Sequence, residues 1–218
     1  LALTLPALTA LARFLPGRNV LSLGYPDIVA RPEDIERLFG FRPTRFTDFG
    51  RWHGVDFALP ETMEFFGAIG SRLDCVDIVA SRGVERVVDL NRPCALGSFE
   101  LVIDAGTTEH CFNVGQALVN AASAVAVGGQ IFHAPPMTML NHGFYNFSPT
   151  LLHDFYTQNG WKIELLVGMR KGASFEIPLT ARFTVPFETT LYCIARRDSA
   201  DTPAYPVQSK YLRNPGLS

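Results

Sequence analysis

Five short apolar runs constrain this chain more than any other feature. NVLSL at 19–23, LDCVDI at 73–78, FELVID at 99–104 and QIFHA at 130–134 read as strands buried on both faces, and RVVD at 86–89 fits a shorter strand ending in a turn. Several lie beside helical patterns, at 32–39, 60–69 and 112–126. In the last, Leu118, Ala121, Ala122 and Val125 recur at i, i+3, i+4 and i+7, and the Gly128-Gly129 pair is expected to end the helix. Strands interleaved with helices predict an α/β, doubly wound, mostly parallel sheet. Further on, SPTLLHDFYTQNG offers Ser148 as a cap, Pro149 at the first helical position and Asn159-Gly160 as a stop. The runs WKIELLVGM (161–169) and TTLYCIARR (189–197) then predict a C-terminal antiparallel strand pair, bringing the sheet to about seven strands.

A length of 218 residues suits one core, so 1–218 is expected to be a single domain. Leu8, Leu11, Ala12 and Leu15 sit at helical spacing and predict an N-terminal helix within 1–18; the opening lacks the basic residues of a signal sequence. Residues 40–60 read as an insertion and 198–218, with three prolines, as an extended tail, while 172–187 fits a lid, a dimer arm or a long hairpin loop. A net charge of -2 lacks the basic excess of a nucleic-acid binder, and no apolar run approaches the roughly 20 residues that span a bilayer. Neither nucleic acid nor membrane is therefore an expected partner. The scattered Cys75, Cys94, Cys111 and Cys193 show no metal spacing and read as free thiols in a reducing, cytoplasmic compartment.

In a doubly wound sheet, ligands bind at the carboxyl ends of the strands. Those ends present Gly24, Asp77, Asp89-Leu90-Asn91 and Asp104-Ala105-Gly106 in succession. A glycine lets a ligand approach the main chain, an acid such as Asp77 (or its competitor Asp74) can accept both ribose hydroxyls, and Leu90 can pack on an adenine. The series matches an adenosine-shaped ligand. Each residue also has a plain structural reading as a turn or cap.

The segments RGVERVVDLNRP, FELVIDAGTTEHCFNVGQAL, VGGQIFHAPPM and NHGFYNFSPTLLHDFY, within about 61–161, resemble a group of bacterial class I S-adenosylmethionine-dependent methyltransferases. NVLSLGYPD extends the resemblance weakly toward the start. It implies a Rossmann-like fold that binds S-adenosylmethionine: Gly24 matches the first-motif loop, Asp77 the ribose acid, Asp89 and Leu90 the adenine region and Asp104 the fourth-strand acid, with Gly106 after it. One departure stands out. The family's first motif is an acid followed by three alternating glycines, and LSLGYPD keeps only Gly24.

Methyl transfer to oxygen or nitrogen requires alignment and removal of a proton, a task suited to histidine. His110, beside Glu109, is the leading base, with ordering of its loop as the structural alternative. His142 and Tyr145, in NHGFYNFSPT, are expected to position a small-molecule or sugar-like acceptor while Phe144 and Phe147 exclude water, unless the stretch is simply a clasp. His53 is a further candidate for the acceptor side, and His133, on an apolar strand, is expected to be a satisfied inner group. No metal is expected, since His110, His133 and His142 fit no local ligand pattern. A homodimer is one partner to consider. Two rival functions remain: a non-catalytic subunit of the same fold, and a nicotinamide oxidoreductase, which would carry GxGxxG after its first strand.

Overall fold

A computed structural model of the protein describes residues 1–179 and 181–213. The strands are β1 (Ala2–Thr4), β2 (Asn19–Leu23), β3 (Asp27–Val29), β4 (Phe46–Thr47), β5 (Leu59–Pro60), β6 (Arg72–Asp77), β7 (Arg86–Val87), β8 (Phe99–Asp104), β9 (Val125–His133), β10 (Lys162–Arg170), β11 (Ala173–Glu176) and β12 (Thr190–Arg196). The helices are α1 (Leu5–Leu11), α2 (Pro32–Phe39), α3 (Thr62–Ala68), α4 (Val114–Ser123), α5 (Pro149–Gln158) and α6 (Ser209–Arg213). Among the described residues, no helix is long and apolar enough to cross a membrane.

One sheet of eight strands, in the order β11-β10-β12-β9-β8-β2-β6-β7, organises the molecule. β2, β6, β7, β8 and β9 run parallel; β12 is antiparallel to β9 and β10. The chain winds outward from β2 to β7, then crosses back to β8, so the order reverses between β2 and β8. Strand alternation sends Leu21, Leu23, Val102 and Ile131 to a core shared with α4 and α5. Val20, Leu101, Ile103 and Phe132 face the opposite core, with α1 and α3. Each such fully buried side chain contributes about 1.5–3 kcal/mol.

Several expectations change. Where two C-terminal strands were expected, a turn at Lys171-Gly172 folds 173–176 back as a third, edge strand, giving eight rather than seven among the described residues. α4 stops at Ser123 and β9 begins at Val125; Gly128, at φ 83, sits within that strand where its register against β8 shifts. Gly128-Gly129 is thus a bulge and not a helix stop. The opening stretch is not one helix, because Ala2–Thr4 is extended and pairs in parallel with β3. Ser148 precedes α5 in extended conformation but makes no side-chain cap, whereas Glu61 and Asn113 do cap α3 and α4. Residues 40–60 form a small antiparallel pair, β4 with β5, around a tight turn at Phe49–His53. The last five residues of the expected tail lie outside the described residues.

Candidate active site

Asp104, the last residue of β8, sets the path of the chain beyond the strand. It is fully buried, with Oδ2 at 2.6 Å from His133 Nδ1; His133 Nε2 meets the Tyr156 hydroxyl at 2.5 Å. Oδ1 accepts the Thr107 and Thr108 amides (3.0 and 3.1 Å), and Thr108 Oγ1 donates to Oδ2 (2.6 Å). Burial opposes the charge, but His133 and the threonine donors outweigh it and hold the carboxyl below its ordinary range. Expected at the cosubstrate, Asp104 instead faces its own protein and shapes the loop 105–110. His133 is the satisfied inner group expected.

That loop carries Glu109 and His110 to a cavity of about 430 Å³ at the carboxyl ends of β8 and β9. The other half of the site arrives from 141–147. The Glu109 carbonyl accepts the amides of Phe144 (2.9 Å) and Tyr145 (3.3 Å), and the Pro136 carbonyl accepts that of Phe147 (2.7 Å). Gly143 permits this approach: a Cβ there would lie 3.0 Å from the Glu109 carbonyl oxygen and 3.2 Å from His110 Nδ1. His142 is thereby held over Glu109, with Nε2 at 3.4 Å from Oε1; His110 Nε2 is at 4.0 Å. The two imidazoles are 5.2 Å apart, centre to centre.

Glu109 is fully buried, and among the described residues neither carboxyl oxygen has a hydrogen-bond partner. Burial first, and the Asp104 charge second, push it up to about 8. Burial and His142 lower His110, favouring its neutral, proton-accepting form. Gly106 also lines the cavity and, at φ 109, would place a Cβ 3.2 Å from Glu109 Oε1.

Tyr145 lies outside this wall, its hydroxyl donating to the Phe112 carbonyl at 2.8 Å. Phe147 is core and Phe144 is exposed, packed edge-on against Phe112. The stretch NHGFYNFSPT therefore divides: His142 faces the cavity and its neighbours anchor the loop. The residues that sequence reasoning missed come from far along the chain: Thr4, Met169, Lys171, Glu188, Thr190 and Tyr192. Strand pairing brings the last five here, since β10 ends and β12 begins at this edge, whereas Thr4 ends β1, which pairs with β3.

Across the ends of β2 and β6, Gly24 has φ 86, and a Cβ on it would lie 3.3 Å from Thr107 Oγ1 and 3.4 Å from Leu1 Cβ. Asp77 ends β6, partly exposed, and its Oδ1 accepts the Ile78 amide at 2.6 Å; Asp74 lies within the strand beside Arg72. Asp89 Oδ1 accepts from both the Asn91 amide and Nδ2 (3.0 and 2.8 Å), and Leu90 is buried beneath this turn. Between them runs a feature that the sequence did not suggest. Arg82 spans to Asp27 (2.8 Å), which also meets His53 Nε2 (2.9 Å), and its guanidinium lies 3.4 Å from the Phe49 ring centre and 5.3 Å from that of Tyr25. Burial pushes the Tyr25 phenol up to about 12. Asp27 and Arg82 are thus satisfied by each other.

This fold is that of the class I S-adenosylmethionine-dependent methyltransferases. Solved structures similar to it include the 1,6-didemethyltoxoflavin-N1-methyltransferase of Burkholderia thailandensis, with bound 1,6-didemethyltoxoflavin and S-adenosylhomocysteine: TM-score 0.52, 14% identity, 89% of this chain and 77% of that one. Another is the N-methyltransferase NodS of Bradyrhizobium japonicum in complex with S-adenosylhomocysteine, at TM-score 0.50 and 13% identity, covering 89% and 84%. At such identities the likeness is one of fold. No family model and no curated protein matches the sequence.

Proposed function

We propose that this protein transfers a methyl group from S-adenosylmethionine to oxygen or nitrogen of a small-molecule or sugar-like acceptor. The observation that carries this reading is the cavity at the sheet's carboxyl edge, where His110 and His142 flank a buried Glu109, close to the point of strand reversal.

The residues present fit the nucleoside part of the cosubstrate: Asp77, partly exposed at the end of β6, would take the ribose, and the Asp89-Leu90 turn the adenine. Gly24 and Gly106 leave main chain without side chains near the sulfonium end, although Thr107 and Leu1 already crowd Gly24. Bound there, S-adenosylmethionine supplies an electrophilic methyl group. The chain's own task is to hold the acceptor in line and take its proton. His110, lowered toward its neutral form, is the acceptor of that proton; Met139 and Met169 offer apolar contact, and Thr190 and Tyr192 polar contact. Asp104 acts through the loop that it orders and is a positioning residue.

Supplying methyl-labelled cosubstrate with metabolite extracts tests the reading. Label is expected to enter a small molecule, with His110→Ala slowing transfer about 100-fold or more. Unlabelled extract at every protein concentration would argue for the second reading, a non-catalytic partner subunit, which the crowding at Gly24 and the Arg82–Asp27 pair favour.

A further inference from the structure

We propose that Glu109, His110 and His142 form a binding site for one divalent transition-metal ion, open on its remaining side to the cavity. One oxygen or nitrogen from each residue lies within 4.8 Å of the others. A tetrahedral ion with bonds of about 2.0–2.2 Å needs ligands roughly 3.3–3.6 Å apart. The Glu109–His142 separation of 3.4 Å meets this, and the Glu109–His110 separation of 4.0 Å exceeds it by a few tenths. Both imidazoles are nearly half exposed and can turn by that much.

Glu109 makes the arrangement more than a chance cluster. A carboxyl group held at 0% exposure, with no hydrogen-bond donor among the described residues, is costly unless a cation or a proton answers it. The backbone is built to keep it there: two amides on its carbonyl, and glycines at 106 and 143 where side chains would press on it. Among other charged groups facing the cavity, Lys171 and Glu188 stand on the β10 and β12 side, and His53 is paired with Asp27. Two imidazoles and one carboxylate suit zinc, cobalt or nickel rather than magnesium or calcium. Three protein ligands with a free position make an open site, able to take an oxygen or nitrogen donor of a bound molecule. His133 takes no part, since Asp104 and Tyr156 occupy both its nitrogens.

The site stands on this geometry independently of methyl transfer and revises one part of that reading: with an ion bound, His110 is a ligand and no longer a free base. The test is titration of chelator-treated protein with Zn(II) by calorimetry and with Co(II) by visible absorption, with neither cosubstrate nor acceptor present. One ion per chain is expected, with a Kd of about 10 μM or tighter. Glu109→Gln and His142→Ala should each weaken binding roughly tenfold or more, and His153→Ala, on α5, should leave it unchanged. Because His142 is half exposed, its variant tests the site even if Glu109→Gln disturbs the loop. No binding at about 1 mM, or binding insensitive to both substitutions, would overturn the proposal. Cosubstrate binding, measured separately, distinguishes its failure from that of the methyl-transfer reading.

Discussion

Replacing Asp104 with alanine is expected to destabilise the protein by about 3–5 kcal/mol, because several buried hydrogen-bonding groups lose their partner at once and each costs about 1–3 kcal/mol when left unpaired. The substitution leaves His133, at 0% exposure, without its Nδ1 partner, and deprives Thr108 Oγ1 and the Thr107 and Thr108 amides of their acceptor. Urea unfolding should show a lower midpoint with an unchanged slope. Because the same carboxylate shapes the turn carrying Glu109 and His110, ligand binding at the cavity should fall even where the variant is still folded. A loss under about 1 kcal/mol would mean that the His133–Tyr156 chain does not depend on Asp104.

Glu109→Gln should have the opposite sign, and its size should depend on pH. Burial raises the Glu109 carboxyl to about 8 in the folded protein, against an ordinary value of 4.5. A raised carboxyl favours the protonated form on folding, so its contribution is fully present below about pH 4.5 and is lost progressively as pH rises to about 8. Glutamine is neutral throughout and loses nothing. In chelator-treated protein the variant should therefore match wild type near pH 5 and exceed it by roughly 2–4 kcal/mol at pH 8. Thermal or urea unfolding across that interval provides the check. Equal stability at both pH values would show that Glu109 is already paired in solution.

Much of the fold was legible because buried parallel strands carry their signal locally. NVLSL and FELVID became β2 and β8 with the same bounds. The errors fell where tertiary pairing overrides local preference: Val125 has helical spacing with Leu118 and Ala121 yet starts β9, because β8 offers it a strand partner at Phe99. The site was partly legible for a related reason. Glu109, His110 and His142 were visible as polar residues after strands, but nothing local tells that Asp104 turns inward or that Tyr145 bonds the Phe112 carbonyl. Nor could GYPD and SRGVE reveal that Asp27 and Arg82 meet, since those residues are brought together only by adjacent strand ends.

That contact also bears on the central question, whether the edge formed by β2, β6 and β7 holds a nucleoside. Calorimetric titration with S-adenosylhomocysteine measures this directly and needs no knowledge of the acceptor. One molecule is expected to bind per chain with a Kd of about 1–100 μM, weakened about 10–100-fold in Asp77→Ala as charge-assisted hydrogen bonds to the ribose are lost. An absence of binding at about 1 mM, or binding indifferent to Asp77, would contradict a nucleoside site at this edge.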